Sequence, residues 1–257
     1  MGIRLKIPKS HVRADSLRKR EVLIKGEEKG VVAKAGLIAH GRGEAFDYLI
    51  GETTIPPALF AARVAAASLI LADHPVISVN GNSAALVPEL LVGLAKEIHA
   101  GLEVNLFYRS RRREDAIKSA LMKAGATEVL GVGRNASATI PELYSERRRV
   151  DPRGIYSADV VLVPLEDGDR TMALKKMGKF VIAIDLNPLS RTAQTADVTI
   201  VDNIVRAVPN ILAAIRDLRE LNRAELKGII ERFDNKKNLS ETMLYIRDRL
   251  STLARGE

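Results

Sequence analysis

Hydrophobic and polar positions change their rhythm once along this chain, near Pro75. Before it the sequence reads as helix. A charged helix capped at Ser10 runs to about Gly30, a polar loop His40-Gly41-Arg42-Gly43-Glu44 follows, and Pro56-Pro57 open an alanine-rich helix that Asp73-His74-Pro75 stop. After Pro75, short apolar runs alternate with longer mixed stretches. The runs are Val76 to Val79, Val104 to Phe107, Glu128 to Leu130, Val160 to Val163, Phe180 to Ile184 and Val198 to Val201; between them lie helical stretches such as Ala84 to Ala100, Arg112 to Ala124 and Asp169 to Met177. Runs that are apolar throughout fit strands buried on both faces of a parallel sheet. Strand–helix alternation requires right-handed crossovers. The expected fold is α/β, a doubly wound parallel sheet of about six strands over residues 73–221, closed by a helix from Ile204 to Leu221. A helical N-terminal part, 1–72, packs on it, and a charged helical C-terminal tail, 222–257, follows. No repeat and no apolar-poor linker divides the chain, so these parts are expected to form one compact unit.

Composition narrows the chemistry. At 257 residues and 46% hydrophobic the chain can build one substantial core. It has no Cys, which excludes disulfides, Cys-ligated zinc and a thiol nucleophile. Four scattered His argue against a His-rich metal site, and the absence of Trp with 4% aromatics argues against a stacking platform for single-stranded nucleic acid. A net charge of +8 fits a polyanion partner, a small phosphorylated substrate or a Lys/Glu/Arg-rich solvated surface. The first residues carry no apolar signal core, and the longest apolar run, Pro57 to Ala72, contains Arg63 and is too short to span a bilayer; no membrane partner and a cytoplasmic location are expected.

The most informative stretch runs from Val181 to Asn203. Two neighbouring strands end in Asp185-Leu186-Asn187 and Asp202-Asn203, with Ser190, Arg191 and Thr192 between them. Ligands of open α/β sheets bind outside the carboxyl ends of the strands. Asp accepts from sugar hydroxyls, Asn donates and accepts, and Arg forks onto phosphate. The pattern reads as a nucleotide site without the usual glycine fingerprint: neither G-x-G-x-x-G nor a P-loop is present. Gly81-Asn82-Ser83 follows the first strand, where Asn82 or Ser83 either caps the next helix or helps its free N–H groups hold an anion. Arg109 is the strand-end candidate of the second strand. Arg111 to Arg113, Arg147 to Arg149, and Arg18-Lys19-Arg20 read as solvated charge.

Four segments, IPKSHVRADSLRKRE, VAKAGLIAHGRGEAFDYLIGE, ISVNGNSAAL and IDLNPLSRTAQTADVTIVDN, resemble the archaeal phosphopantothenate synthetase (4-phosphopantoate–β-alanine ligase) family, in the same order and across essentially the whole chain. The resemblance implies a Rossmann-like core, a homodimer, and an ATP- and Mg2+-dependent ligase that joins 4-phosphopantoate to β-alanine on the route to coenzyme A, with release of AMP and pyrophosphate. It implies ATP binding by Arg20, Arg42, Asp185, Leu186, Asn187, Arg191, Thr192, Asn203 and Ile204, which reverses the surface-charge reading of Arg20. Basic groups such as Arg42 and Arg109, with the helix start at Gly81-Asn82-Ser83, are the candidates for the substrate's phosphate. No His stands out as a general base, and no metal ligand is identified. The rival classes are a basic nucleic-acid-binding protein, whose affinity would fall steeply with salt, and an ATP-binding regulatory module without turnover.

Overall fold

In a computed structural model, described for residues 8 and 10–256, five strands form one parallel sheet: β1 (Pro75–Val79), β2 (Gly101–Val104), β5 (Val160–Pro164), β6 (Phe180–Ile184) and β7 (Val198–Ile200), in the order β2-β1-β5-β6-β7. Alternate residues of each strand serve opposite faces. Ile77, Val79, Leu162, Ile182 and Ile184 join one apolar cluster, while Val76, Val161, Val163, Val181 and Ala183 join the other. That two-sided burial is why the runs are apolar throughout.

The larger cluster packs against α3 (Pro56–Leu71), α5 (Pro88–Glu97), α6 (Arg111–Lys123) and α9 (Ile204–Leu218). The smaller is covered by α7 (Gly168–Lys176) and by the segment 138–158, which contains a two-strand antiparallel ladder of β3 (Ala138–Thr139) and β4 (Arg149–Val150). The larger cluster also takes in Leu23 of α1 (Ala14–Glu28), Ile50 of α2 (Lys34–Ile50) and Leu226 of α10 (Arg223–Glu231). The last helix, α11 (Asn235–Ala254), lies against α2 and α3.

Several expectations are corrected. His40 to Glu44 is not a loop; it lies inside α2. Two glycines lower helix propensity by roughly 1 kcal/mol each relative to Ala, but Gly43 packs on Leu186 and the helix is held by Glu44 and Asp47, both buried in polar contacts. Ser10 does not cap α1, which begins at Ala14 behind Arg13 without a side-chain cap. The expected strand at Glu128 to Leu130 shrinks to one bridge between Leu130 and Glu103, because the chain turns away at Gly131, whose φ is +72°. The second strand ends at Val104 rather than Phe107. The helix expected from Ala84 to Ala100 is split into α4 (Gly81–Leu86) and α5, because Pro88 has no N–H to continue the first and is well suited to start the second.

Candidate active site

β1 pairs with β2 on one side and with β5 on the other. The chain leaves β1 in one direction and returns in the other, so the carboxyl ends of β1 and β5 form the topological switch point where open α/β sheets bind ligands. A cleft of about 310 Å³ opens there. Its walls are the turn Asn80-Gly81-Asn82 after β1, Leu106 to Tyr108 after β2, and Leu165-Glu166-Asp167 after β5. α2 covers it from Ala33 to Arg42, and Arg113 and Arg147 reach in from the side.

The β1 turn is closed by a capping box. Asn80 accepts the Ser83 N–H at 3.0 Å, and Ser83 Oγ accepts the Asn80 N–H at 3.0 Å. Asn80 Nδ2 also donates to the carbonyls of Pro164 and Leu165, tying the ends of β1 and β5 together. The cap of α4 is therefore Asn80, not Asn82 or Ser83. Ser83 is fully buried as the cap's partner, while Asn82 supports the α2 cover by donating to the Gly36 carbonyl at 2.8 Å. Gly81 is required: a Cβ there would stand 2.3 Å from the Val31 carbonyl oxygen.

Arg147 sits beneath the cleft in a buried charge cluster. Its Nη1 lies 2.9 Å from Glu166 and its Nε 2.9 Å from Asp167. Glu166 is shared with Arg170, which is wholly buried and also donates to Ser78 Oγ at 3.0 Å. Burial disfavours charge on both partners, lowering Arg147 and raising Glu166, and their contact opposes this for each. Arg113 donates to the carbonyls of Tyr108 and Val31, and its Nε has no partner among the described residues. Arg42 is exposed on α2 and makes no hydrogen bond or ion pair among the described residues. Arg147 and Arg113 are thus not the solvated charges their sequence context suggested. Arg109, by contrast, does not line the cleft: its guanidinium is paired with Glu114 and bonded to the carbonyls of Gly131 and Arg149.

The loop after β6 is ordered by its own side chains. Asp185 accepts the Asn187 N–H at 2.9 Å and the Ser190 hydroxyl at 2.5 Å. Burial raises its pKa, and Ser190, Asn187 and the nearby Arg42 work in the other direction. Ser190 then caps α8 (Arg191–Thr195). Arg191 is its first residue, exposed and paired with Asp169 at 2.9 Å. Gly168 makes that approach possible, since a Cβ there would meet Arg191 Cβ at 2.4 Å. Thr192 Oγ1 donates to the Glu166 carbonyl at 3.0 Å, which links this loop to the cleft wall. Asn203 caps α9 and donates to Asp47. Arg20 pairs with Glu44 at 2.8 Å.

A small cavity of about 50 Å³ is lined by His40, Gly43, Leu186, Asn203 and Ile204, and by Ala39, Asn82 and Leu165, which also line the cleft. Arg42 and Asp185 interact across the junction. The strand-end loop and the cleft therefore form one continuous region beneath α2. His40 Nε2 is buried there without a partner among the described residues, and burial lowers its pKa. Sequence reasoning missed His40, Asn80, Arg113, Arg147, Glu166 and Asp167. For Glu166-Asp167 a signal existed: they follow the apolar run Val160 to Val163 as Asp185 and Asp202 follow theirs.

These features define a doubly wound α/β protein with an arginine-lined cleft at its switch point. Residues 57–249 match the family model described as phosphopantothenate/pantothenate synthetase, and the chain belongs to that family. It is 59% identical over 253 residues to the 4-phosphopantoate--beta-alanine ligase of Thermococcus onnurineus (strain NA1), covering 98% of this chain and 96% of the relative. It is 59% identical over 249 residues to the protein of the same name from Thermococcus kodakarensis, covering 96% and 95%. With that of Methanosarcina mazei the identity is 50% over 248 residues, covering 96% and 97%.

Proposed function

We propose that the protein is an ATP-dependent ligase that condenses 4-phosphopantoate with β-alanine to 4'-phosphopantothenate, releasing AMP and pyrophosphate, in coenzyme A biosynthesis. The observation that carries this reading is the 59% identity along 98% of the chain to a ligase of that name. The site's chemistry supports it. Three guanidinium groups, Arg42, Arg113 and Arg147, line a cleft whose other charges are Glu166 and Asp167. A phosphate monoester with a carboxylate suits that excess of cations, and the apolar Leu106, Phe107 and Leu165 suit the branched carbon chain between them.

A carboxylate does not react with an amine unless it is activated. In this reading the pantoate carboxylate attacks the α-phosphorus of ATP, pyrophosphate leaves, and the β-alanine amine then attacks the acyl-adenylate. ATP lies along Asp185-Leu186-Asn187, Arg191-Thr192 and Asn203-Ile204, with Arg20 and Arg42 on its phosphate or ribose side. The linkage through Thr192 and Glu166 brings that loop against the substrate cleft. Catalysis is mostly positioning and electrostatic stabilisation. No group of three or more His, Cys, Asp or Glu able to hold a metal ion occurs among the described residues. In this reading magnesium would come with the nucleotide, taking its ligands chiefly from phosphate and water and offsetting phosphate charge. Among the described residues no helix is long and apolar enough to cross a membrane. The same reading takes the protein to be cytoplasmic and homodimeric.

The test is incubation with ATP, 4-phosphopantoate and β-alanine, with nucleotide products separated and the condensed product identified by mass. AMP and pyrophosphate should form only when phosphopantoate is present. Formation of ADP and phosphate would replace the adenylate by an acyl phosphate. Equal use of unphosphorylated pantoate would remove the phosphate-binding role of the arginines.

A further inference from the structure

Asp167 lines the cleft with an incompletely bonded carboxylate. It caps α7, its Oδ1 accepting the Arg170 N–H at 2.9 Å. Its Oδ2 stands 2.9 Å from Arg147 Nε, yet it makes no hydrogen bond to that group or to any other described residue. Arg147 offsets the charge of that oxygen but leaves it acceptor capacity, which a ligand that brings donors can use. The adjacent Glu166 differs: its side chain is 1% exposed and held by two arginines, whereas that of Asp167 is 32% exposed. Asp167 also stands where the two halves of the site meet. The residue before it is bonded to Thr192, and the two after it pack on and pair with Arg191.

The cations of this cleft suit phosphate and carboxylate. β-Alanine also brings an ammonium group, which must reach the acyl carbon and lose its protons there. A site lined by three arginines repels that group unless an anion faces it. We propose that Asp167 is that anion: it binds the ammonium group of β-alanine and accepts its proton as the amide forms. The inference rests on the ligase reading above. The nitrogen lone pair forms the N–C bond, and the bond between the acyl carbon and the adenylate oxygen breaks with its electrons going to AMP. Nitrogen loses two protons: one passes through Asp167 to solvent, and the other leaves to AMP or water as the tetrahedral adduct collapses.

Asp167→Asn and Asp167→Ser both retain an N-cap for α7 while removing the carboxylate. The measurements are phosphopantoate-dependent ATP–pyrophosphate exchange, which reports activation alone, and kcat/KM for β-alanine. Both variants should exchange within about two-fold of the parent while kcat/KM for β-alanine falls about a hundred-fold or more. Hydroxylamine, an amine that carries no positive charge at neutral pH, should capture the activated acyl group at the parent's rate. Parallel loss of exchange and synthesis in both variants would mean that Asp167 acts by holding Arg147, and would overturn the proposal. Unchanged use of β-alanine would overturn it too. Absence of exchange in the parent is a different result: it would remove the acyl-adenylate reading itself, and the proposal with it.

Discussion

Asn203 Nδ2 donates to Asp47 Oδ2 at 2.8 Å, joining the end of β7 to α2 across 156 positions of sequence. Both residues are buried, and Arg206 bridges Asp47 to Asp202. The bond holds in place the helix that covers the whole site. Asn203→Ala removes the cap of α9, at about 1 kcal/mol, and one of the donors to Asp47, which keeps Arg206 and Lys19, at roughly 0.5–1.5 kcal/mol more. Denaturant unfolding should show the sum, and ATP titration of the folded variant should show weaker binding. If stability falls and ATP affinity does not, Asn203 is a structural residue alone.

Arg147 is expected to matter twice. Arg147→Ala leaves Glu166 with Arg170 as its remaining cation, so the loss should fall below the cost of an uncompensated buried charge, about 3–5 kcal/mol. Arg147→Lys keeps the charge without the fork. It should fold, with KM for 4-phosphopantoate raised about ten- to a hundred-fold and use of pantoate little changed. Steady-state kinetics with both substrates checks this; an unchanged KM would move the phosphate away from Arg147.

Arg42 has no described hydrogen bond or ion pair to lose, so Arg42→Lys should leave stability within about 0.5 kcal/mol. Activity should nonetheless fall about ten- to a hundred-fold, the cost of one charge-assisted bond to phosphate. Arg191 pairs with Asp169 at the surface, a contact worth little, and Arg191→Lys should behave alike. Parent-like kinetics in either variant would make that residue ordinary surface charge.

Glu103 supplies a pH dependence. Its carboxylate is wholly buried and accepts the N–H groups of Asp151 at 3.0 Å and Ile155 at 2.6 Å. Burial raises its pKa from 4.5 to about 7; the two N–H groups and Arg170 oppose the shift and Asp151 adds to it. Between those values the folded protein holds a proton that the unfolded chain has released, so this group's contribution to stability falls as pH rises from 4.5 to about 7. Glu103→Gln should flatten that part of the stability–pH curve relative to the parent, measured by urea unfolding at a series of pH values. Parallel curves would show that Glu103 does not titrate there.

The parallel sheet was legible because burial on both faces leaves a purely local trace: an unbroken apolar run, as at Phe180 to Ile184. The turn Asp185-Leu186-Asn187 was legible only as the end of such a run; that Asp185 orders the loop through Asn187 and Ser190 came from the tertiary structure. Tertiary structure decided which arginines face the cleft. Arg147 is delivered there because Asn105, 42 positions earlier, binds the carbonyls of Arg147 and Arg149. Arg109 is turned aside by carbonyls 22 and 40 positions later. Tertiary structure likewise made His40 to Glu44 a helix: pairs such as Glu44 with Arg20 and Asp47 with Asn203 outweigh the low propensity of Gly41 and Gly43. An arginine's fate is set by which distant carbonyls and carboxylates the fold brings within 3 Å, and sequence spacing carries no record of that distance.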